Sequence, residues 1–318
     1  MKISNKGYLK YLLASIAYII FLSSSYAQTV EVKDTLNTSP KTLLWKIEGG
    51  DIKSPSYIFG TIHLIPADMY FFPEEFEKCL SETKELVLEI DMSNPIMLAL
   101  ELFSAAQMRG DTTLVDLYTE EEYDVVKTYF LENIDAIMPD MGAMGFSMMQ
   151  SWKPLLLSSM LYDASMEEEA TAMTSYEMEI VALAEKKKLG LGGLESVAFQ
   201  ASIFDSIPYK TQADLLLESI KGLGDSTEIE SYDDLFESYV SQDLNKMTAV
   251  MESQMTELDE YMDIMLSGRN HNWIPIIEEK IKNQSTFFAV GAGHLGGQEG
   301  VLNLLYKKGY SITPIMAR

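Results

Sequence analysis

Two histidines in this chain share a local setting. Gly60-Thr61-Ile62-His63 follows a short apolar run near the front, and Gly291-Ala292-Gly293-His294 follows another near the back. With 3 histidines in the whole chain, a common context for two of them is informative. A glycine after a strand permits a tight turn, including one with positive φ. Such a turn holds the imidazole at the strand's C-terminal end, where open α/β sheets place their ligand sites. Two carboxylates occupy similar places: Glu89, with Asp91 close by, and Glu195, just after a glycine-rich run. Two imidazoles with one or two carboxylates suit a divalent transition ion, without distinguishing Mn, Co, Zn or Fe. Such an ion lowers the pKa of bound water and polarises a carbonyl. In this reading His63, Glu89 and His294 hold the ion, and Glu195 is the base or a further ligand. Arg269 clamps a substrate carboxylate or stabilises an oxyanion. Gly60, Gly291, Gly293 and Asn270 line the substrate. The bland reading, histidines and acids that merely end strands, stands beside it.

Other templates fit less well. Gly291-Ala292-Gly293-His294-Leu295-Gly296 matches G-x-G-x-x-G, but a dinucleotide site needs an acid about twenty residues later. Pro314 to Arg318 offers none. No H-E-x-x-H, G-x-S-x-G or P-loop occurs. His271 reads as a surface or helix-cap residue. Cys79, the single cysteine, lies in Phe76-x-x-Cys79-Leu80, the buried face of a helix, and reads as core. It leaves no partner for an internal disulfide.

The elements that must position these residues follow from hydrophobic pattern. Strands are predicted at 43–47 and 57–59, joined through Gly49, Gly50 and Pro55 as a hairpin. A helix opens at Pro73 and runs to about Thr83. Glu85 to Ile90 is a buried-type strand, and Leu189 to Leu194 a central strand with close backbone approach. Helices are predicted at 94–109, 119–132, 146–163, 174–188, 210–222, 231–240, 243–266 and 272–282. The methionine-rich stretch from Met138 to Met160 reads as core or groove filling. A strand at 286–290, a helix at 298–308 capped by Gly309, and a strand at 310–315 close the chain as a βαβ unit. The fold class is α/β: a central mixed sheet flanked by helices, with large helical insertions.

Residues 1–27 read as a signal peptide. Lys2, Lys6 and Lys10 form a basic region, Tyr11 to Leu22 an apolar one, and Ser25-Tyr26-Ala27 a cleavage site. The apolar run is short for a membrane span, so export to the periplasm or the exterior, without stable membrane insertion after cleavage, is the expectation. Residues 28–42 read as a linker and 43–318 as the domain. Acids outnumber bases 48 to 24, a net charge of −24. That charge repels polyanions, so nucleic acid is not an expected partner.

Several blocks resemble the TraB/PrgY/GumN family, which includes the animal Tiki proteins. They are Leu44-Trp45-Lys46-Ile47, Tyr57 to Leu64, Glu85 to Asp91, Lys153-Pro154, and Gly193-Leu194-Glu195-Ser196 with Gln200 and Ile207-Pro208. Arg269-Asn270, Val290 to Leu295, Gly300-Val301-Leu302 and Lys308-Gly309-Tyr310 complete the order. The resemblance implies a fold related to erythromycin-esterase-like and haem-binding ChaN-like proteins. It implies metal-dependent hydrolysis of a peptide or small amide substrate, with the two Gly-x-x-His motifs and a glutamate in catalysis. Two alternatives stay open: a metal-free esterase-type hydrolase with histidine and glutamate as base and orienter, and a non-catalytic module that binds a peptide or haem.

Overall fold

Leu44–Glu48 (β1) and Ser56–Thr61 (β2) pair antiparallel, with Leu44 opposite Phe59 and Ile47 opposite Ser56. The reversal passes through Gly49 and Gly50 at φ +90° and +59°, the left-handed region that residues with a Cβ avoid. β2 is buried along its whole length. That is why it reads as the unbroken run Tyr57-Ile58-Phe59 and not as an alternation. The computed structural model describes residues 35–316 apart from 139, 159, 161–172, 223–233, 255–260 and 262. The expected signal peptide and residues 28–34 of the linker lie outside the described residues, as do parts of the helices expected at 146–163, 231–240 and 243–266.

Leu64–Pro66 (β3) and Met173–Ser175 (β5) are short and lie outside the main sheet. That sheet adds Glu85–Ile90 (β4), Gly190–Glu195 (β6), Thr286–Gly291 (β7) and Ser311–Pro314 (β8), in the order β6-β4-β7-β2-β1-β8. β6, β4, β7 and β2 run parallel, while β1 is antiparallel to both its neighbours. The sheet is therefore mixed, as expected, and four parallel strands end on one edge.

One expectation changes here. The glycine-rich strand β6 is an edge strand paired with β4, not a central one. Its glycines report close approach of backbone and side chain, which an edge permits as well as a centre. A Cβ on Gly193 would sit 2.5 Å from the Asp91 nitrogen, and one on Gly192 would sit 2.9 Å from a Glu85 oxygen.

Helices among the described residues include Phe76–Ser81 (α1), Pro95–Ala106 (α2), Leu114–Leu117 (α3), Glu120–Glu132 (α4), Ile134–Ile137 (α5), Gly142–Met149 (α6), Tyr176–Lys187 (α7), Val197–Phe204 (α8), Tyr209–Gly222 (α9), Leu244–Gln254 (α10), Gly268–Asn283 (α11) and Val301–Lys307 (α12). Two compact units result. The sheet with α1, α7, α10, α11 and α12 belongs to one, residues 94–173 and 197–230 to the other. Cys79 is buried on α1, and burial pushes its thiol up to about 11, as a core residue requires.

The second unit is helical. Thr119 caps α4 and exchanges bonds with Glu122 in a capping box. The single helix expected at 146–163 is instead broken at 150–153, between α6 and a helical run from Pro154. Proline disfavours helical geometry in the residue before it, and that residue, Lys153, is buried. Its Nζ donates to the carbonyls of Ala105 at 2.6 Å and Ala201 at 3.2 Å and lies 3.3 Å from Asp205. Lys153 thus ties the last turn of α2 to α8. Met149 and Met160 fill this core, whereas Met144 is exposed.

Candidate active site

Each of the four parallel strands delivers one side chain to the shared edge. Glu89 is next to last in β4 and Glu195 is last in β6, with Ile90 opposite Glu195. β2 ends at Thr61, opposite Gly291 at the end of β7. His63 follows two residues after Thr61, and His294 closes the 3-10 turn Ala292–His294. The glycines do not use the positive φ that a glycine permits. Gly291 has φ −51°, and Gly60 does not adopt positive φ. A Cβ on Gly60 would press on Leu295 and Ala292 at 2.8–2.9 Å, so this glycine lets one histidine corner pack against the other. Gly291 donates its N–H to Glu89 Oε1 at 2.8 Å, and Gly293 lies inside the 3-10 turn.

Arg269 sits at the centre of the cluster and is wholly buried. The helix carrying it was expected from residue 272. It starts at Gly268, after a π-turn at Asp263–Ser267, so Pro275 lies inside it. The buried bonds of Arg269 and Asn270 hold this extra turn. A guanidinium has five N–H donors, and here every one is used. Nε donates to Glu195 Oε1 at 3.0 Å, and Nη2 donates to Glu195 Oε1 and Glu89 Oε2, each at 2.6 Å. Nη1 donates to the Met265 carbonyl at 3.3 Å and to His294 Nε2 at 3.0 Å. Trp273, one turn on, has its ring 4.8 Å from the guanidinium carbon and donates Nε1–H to Glu195 Oε2 at 2.8 Å. Burial alone would raise the Glu89 carboxyl, but Arg269 foremost holds it down at about 2. Burial likewise opposes the charge on Arg269, and Glu89 and Glu195 outweigh it.

His294 is closed on both sides. Nδ1–H donates to Asn270 Oδ1 at 2.7 Å, while Asn270 Nδ2 donates to the Glu299 carbonyl at 2.8 Å. Its Nε2 lone pair then accepts from Arg269. Burial first and the nearby guanidinium second push its pKa down to about 3. Asn270, expected at the substrate, is spent on holding this ring.

His63 is open on one side. Nδ1 lies 3.0 Å from Glu177 Oε1, an oxygen that also accepts from Thr61 Oγ1 at 2.7 Å. Among the described residues no group is hydrogen-bonded to its Nε2. Burial would lower its pKa, but Glu177, by charge and by hydrogen bond, raises it above the ordinary 6.5. Tyr239, wholly buried, braces the corner by donating to the Gly60 carbonyl at 3.0 Å.

The expected residues are therefore brought together, and their hydrogen bonds bear on the roles expected of them. Arg269 has no N–H left for an oxyanion or a substrate carboxylate. Both oxygens of Glu195, expected as base or further ligand, accept hydrogen bonds from Arg269 and Trp273. The donor set His63, Glu89, His294 does not fit a divalent ion as placed. His294 Nε2 is taken by Arg269, Glu89 is engaged by Arg269 and Gly291, and among the described residues no group of three acids, histidines or cysteines is arranged to hold an ion. His271 lies exposed, 2.7 Å from Glu299, as a surface residue. Sequence reasoning missed Glu177 and Trp273. Ser175-Tyr176-Glu177, a helix cap followed by a first-turn acid, was the available signal for Glu177. For Trp273 it was the four-residue spacing from Arg269.

The match to a family model spans residues 43–314, nearly the whole described chain. The chain belongs to the TraB/PrgY/gumN family. It is 22% identical over 319 residues to the Metalloprotease TIKI2 of Danio rerio, covering 85% of this chain and 60% of that protein. To the Metalloprotease TIKI1 of Homo sapiens it is 21% identical over 314 residues, covering 85% and 61%. To the Metalloprotease TIKI2 of Xenopus tropicalis it is 23% identical over 305 residues, covering 81% and 57%. The chain thus spans about three fifths of the length of these curated relatives. No solved structure matches. Among the described residues no helix is long and apolar enough to cross a membrane.

Proposed function

We propose that this chain is an exported hydrolase of peptide or small amide bonds, with His63 as the general base. The observation that carries the reading is a contrast in saturation at one sheet edge. Glu89, Glu195, Arg269 and His294 satisfy one another, whereas among the described residues nothing is hydrogen-bonded to the Nε2 of His63. An imidazole with one nitrogen open among the described residues, and with its basicity raised by a neighbouring carboxylate, suits proton abstraction from water when the ring is neutral. The buried cluster beside it holds the edge rigid, as a precise site requires. Family membership and the TIKI relatives favour hydrolysis of a peptide over other reactions of this geometry.

The test is incubation of the full chain with a diverse peptide library, with fragments read by mass spectrometry. Cleavage by the native chain that His63→Gln abolishes supports the reading. Cleavage unaffected by His63→Gln overturns it. The metalloprotease relatives favour a second reading, metal-dependent proteolysis. In that case cleavage stops on exhaustive chelation and returns with manganese, cobalt, zinc or iron. Cleavage that survives chelation supports the metal-independent form.

A further inference from the structure

His63 meets a carboxylate that belongs to neither histidine motif. Glu177 lies far from both in the sequence, in the first turn of α7. One of its oxygens, Oε1, takes two contacts from the same corner: His63 Nδ1 at 3.0 Å and Thr61 Oγ1 at 2.7 Å. Thr61 is wholly buried at the end of β2, so it anchors the carboxylate to the sheet. The other oxygen faces Ser175, the cap of α7, at 3.5 Å. Ser175 also accepts from the Met178 N–H, which closes the first turn. An acid in a first turn is favoured by the unpaired N–H groups there. The carboxylate is therefore fixed from the sheet, from the helix and from its own cap, with the imidazole as one of its partners.

We propose that Glu177 is the positioning residue of His63, fixing its tautomer and the direction of its reactive nitrogen. A carboxylate accepts hydrogen bonds and donates none when ionised. Nδ1 must then carry the proton, and Nε2 carries the lone pair. Glu89, the acid expected to hold an ion together with His63, is already engaged by Arg269 and by the Gly291 N–H. A base oriented by a third group is the general arrangement of activated nucleophiles. In the step it serves, a water oxygen bonds to the carbonyl carbon while its proton passes to Nε2. As the C–N bond breaks, the leaving nitrogen takes that proton from Nε2. Glu177 touches neither water nor carbonyl; it steadies the ring, and the imidazolium formed between the two transfers. The catalytic consequence rests on the hydrolase reading, whereas the tautomer does not.

Three histidines make the test clean. In the full chain labelled with 15N-histidine, long-range 1H–15N spectra resolve each ring and report which nitrogen is protonated. The native chain is expected to show His63 protonated at Nδ1. Glu177→Leu removes the acceptor, and His63 is expected to move toward the Nε2–H form, which free imidazole side chains prefer. Thr61→Val keeps the carboxylate but loosens it, and a partial shift is expected. Glu177→Gln keeps an acceptor oxygen without the charge. It is expected to retain the tautomer while peptide turnover drops about 100-fold in kcat with KM little changed. An Nδ1–H tautomer unchanged in folded Glu177→Leu overturns the proposal, as does native His63 protonated at Nε2. Should Glu177→Leu fail to fold, the native spectrum and Thr61→Val decide. A tautomer that shifts in a chain cleaving no peptide upholds Glu177 as the positioning residue and defeats the hydrolase reading alone.

Discussion

His63 and His294 stand just beyond the ends of neighbouring parallel strands in similar sequence settings, yet they are opposite in chemistry. His294 is wholly buried, uses both nitrogens and is held neutral, with its pKa near 3. His63 uses one nitrogen, faces a carboxylate and has its pKa raised. The difference comes from the second partner each ring meets. A cation and an amide oxygen enclose His294; an anion holds His63. A motif shared by two corners therefore fixes where an imidazole stands, while residues distant in sequence decide what it does. One corner is a structural socket for Arg269, and the other is the one that the proposed function makes reactive.

This comparison can be broken most forcefully at its hub. Arg269→Met leaves two buried carboxylates without a counter-charge, and a loss of about 3–5 kcal/mol is expected. Urea denaturation followed by tryptophan fluorescence measures it, and a native midpoint would refute the central role of the guanidinium. The histidine variants should then separate the corners. His63→Gln is expected to cut peptide turnover by at least about 100-fold with little change in melting temperature. His294→Gln is expected to cost about 1–3 kcal/mol of stability through the unpaired donors it leaves. Equal effects from the two would erase the distinction.

Acid supplies a subtler separation. An unfolded chain protonates His294 near 6.5, whereas the folded ring resists down to about 3. Its contribution to stability is therefore full above 6.5 and lost as pH falls toward 3. Glu89, held near 2 against an ordinary 4.5, adds a loss of the same sign below 4.5. His63 acts in reverse: its raised pKa stabilises below 6.5, and that contribution fades as pH rises through the folded value. Denaturation free energies from pH 7 to 4 should thus fall for the native chain and flatten for His294→Gln. A further effect is expected at the seam between the corners. Gly60→Ala should cost about 1–3 kcal/mol through overpacking against Ala292 and Leu295.

Much of this arrangement was legible in the chain. Apolar runs ending in glycine or acid marked β2, β4 and β7, because strands buried on both faces carry unbroken hydrophobic stretches. The same runs placed His63, Glu89 and His294 at one edge. The roles were not legible, because they depend on which donors Arg269 reaches once α11 begins four residues earlier than its apolar pattern indicates. Glu177 was hidden for a related reason. Its partner Thr61 is 116 residues away, and local pattern carries no record of that approach. The edge position of β6 was masked by glycines whose close contacts occur at sheet edges as well as in sheet centres.

The measurement closest to the central claim is a pH titration of the three imidazoles in 15N-histidine-labelled chain. The account requires the His63 ring to titrate above 6.5 and to be Nδ1–H when neutral. It requires the His294 ring to remain neutral and Nδ1–H down to the acid transition of the fold. Two rings titrating together near 6.5, or His294 gaining a proton while the chain stays folded at pH 5, would contradict it.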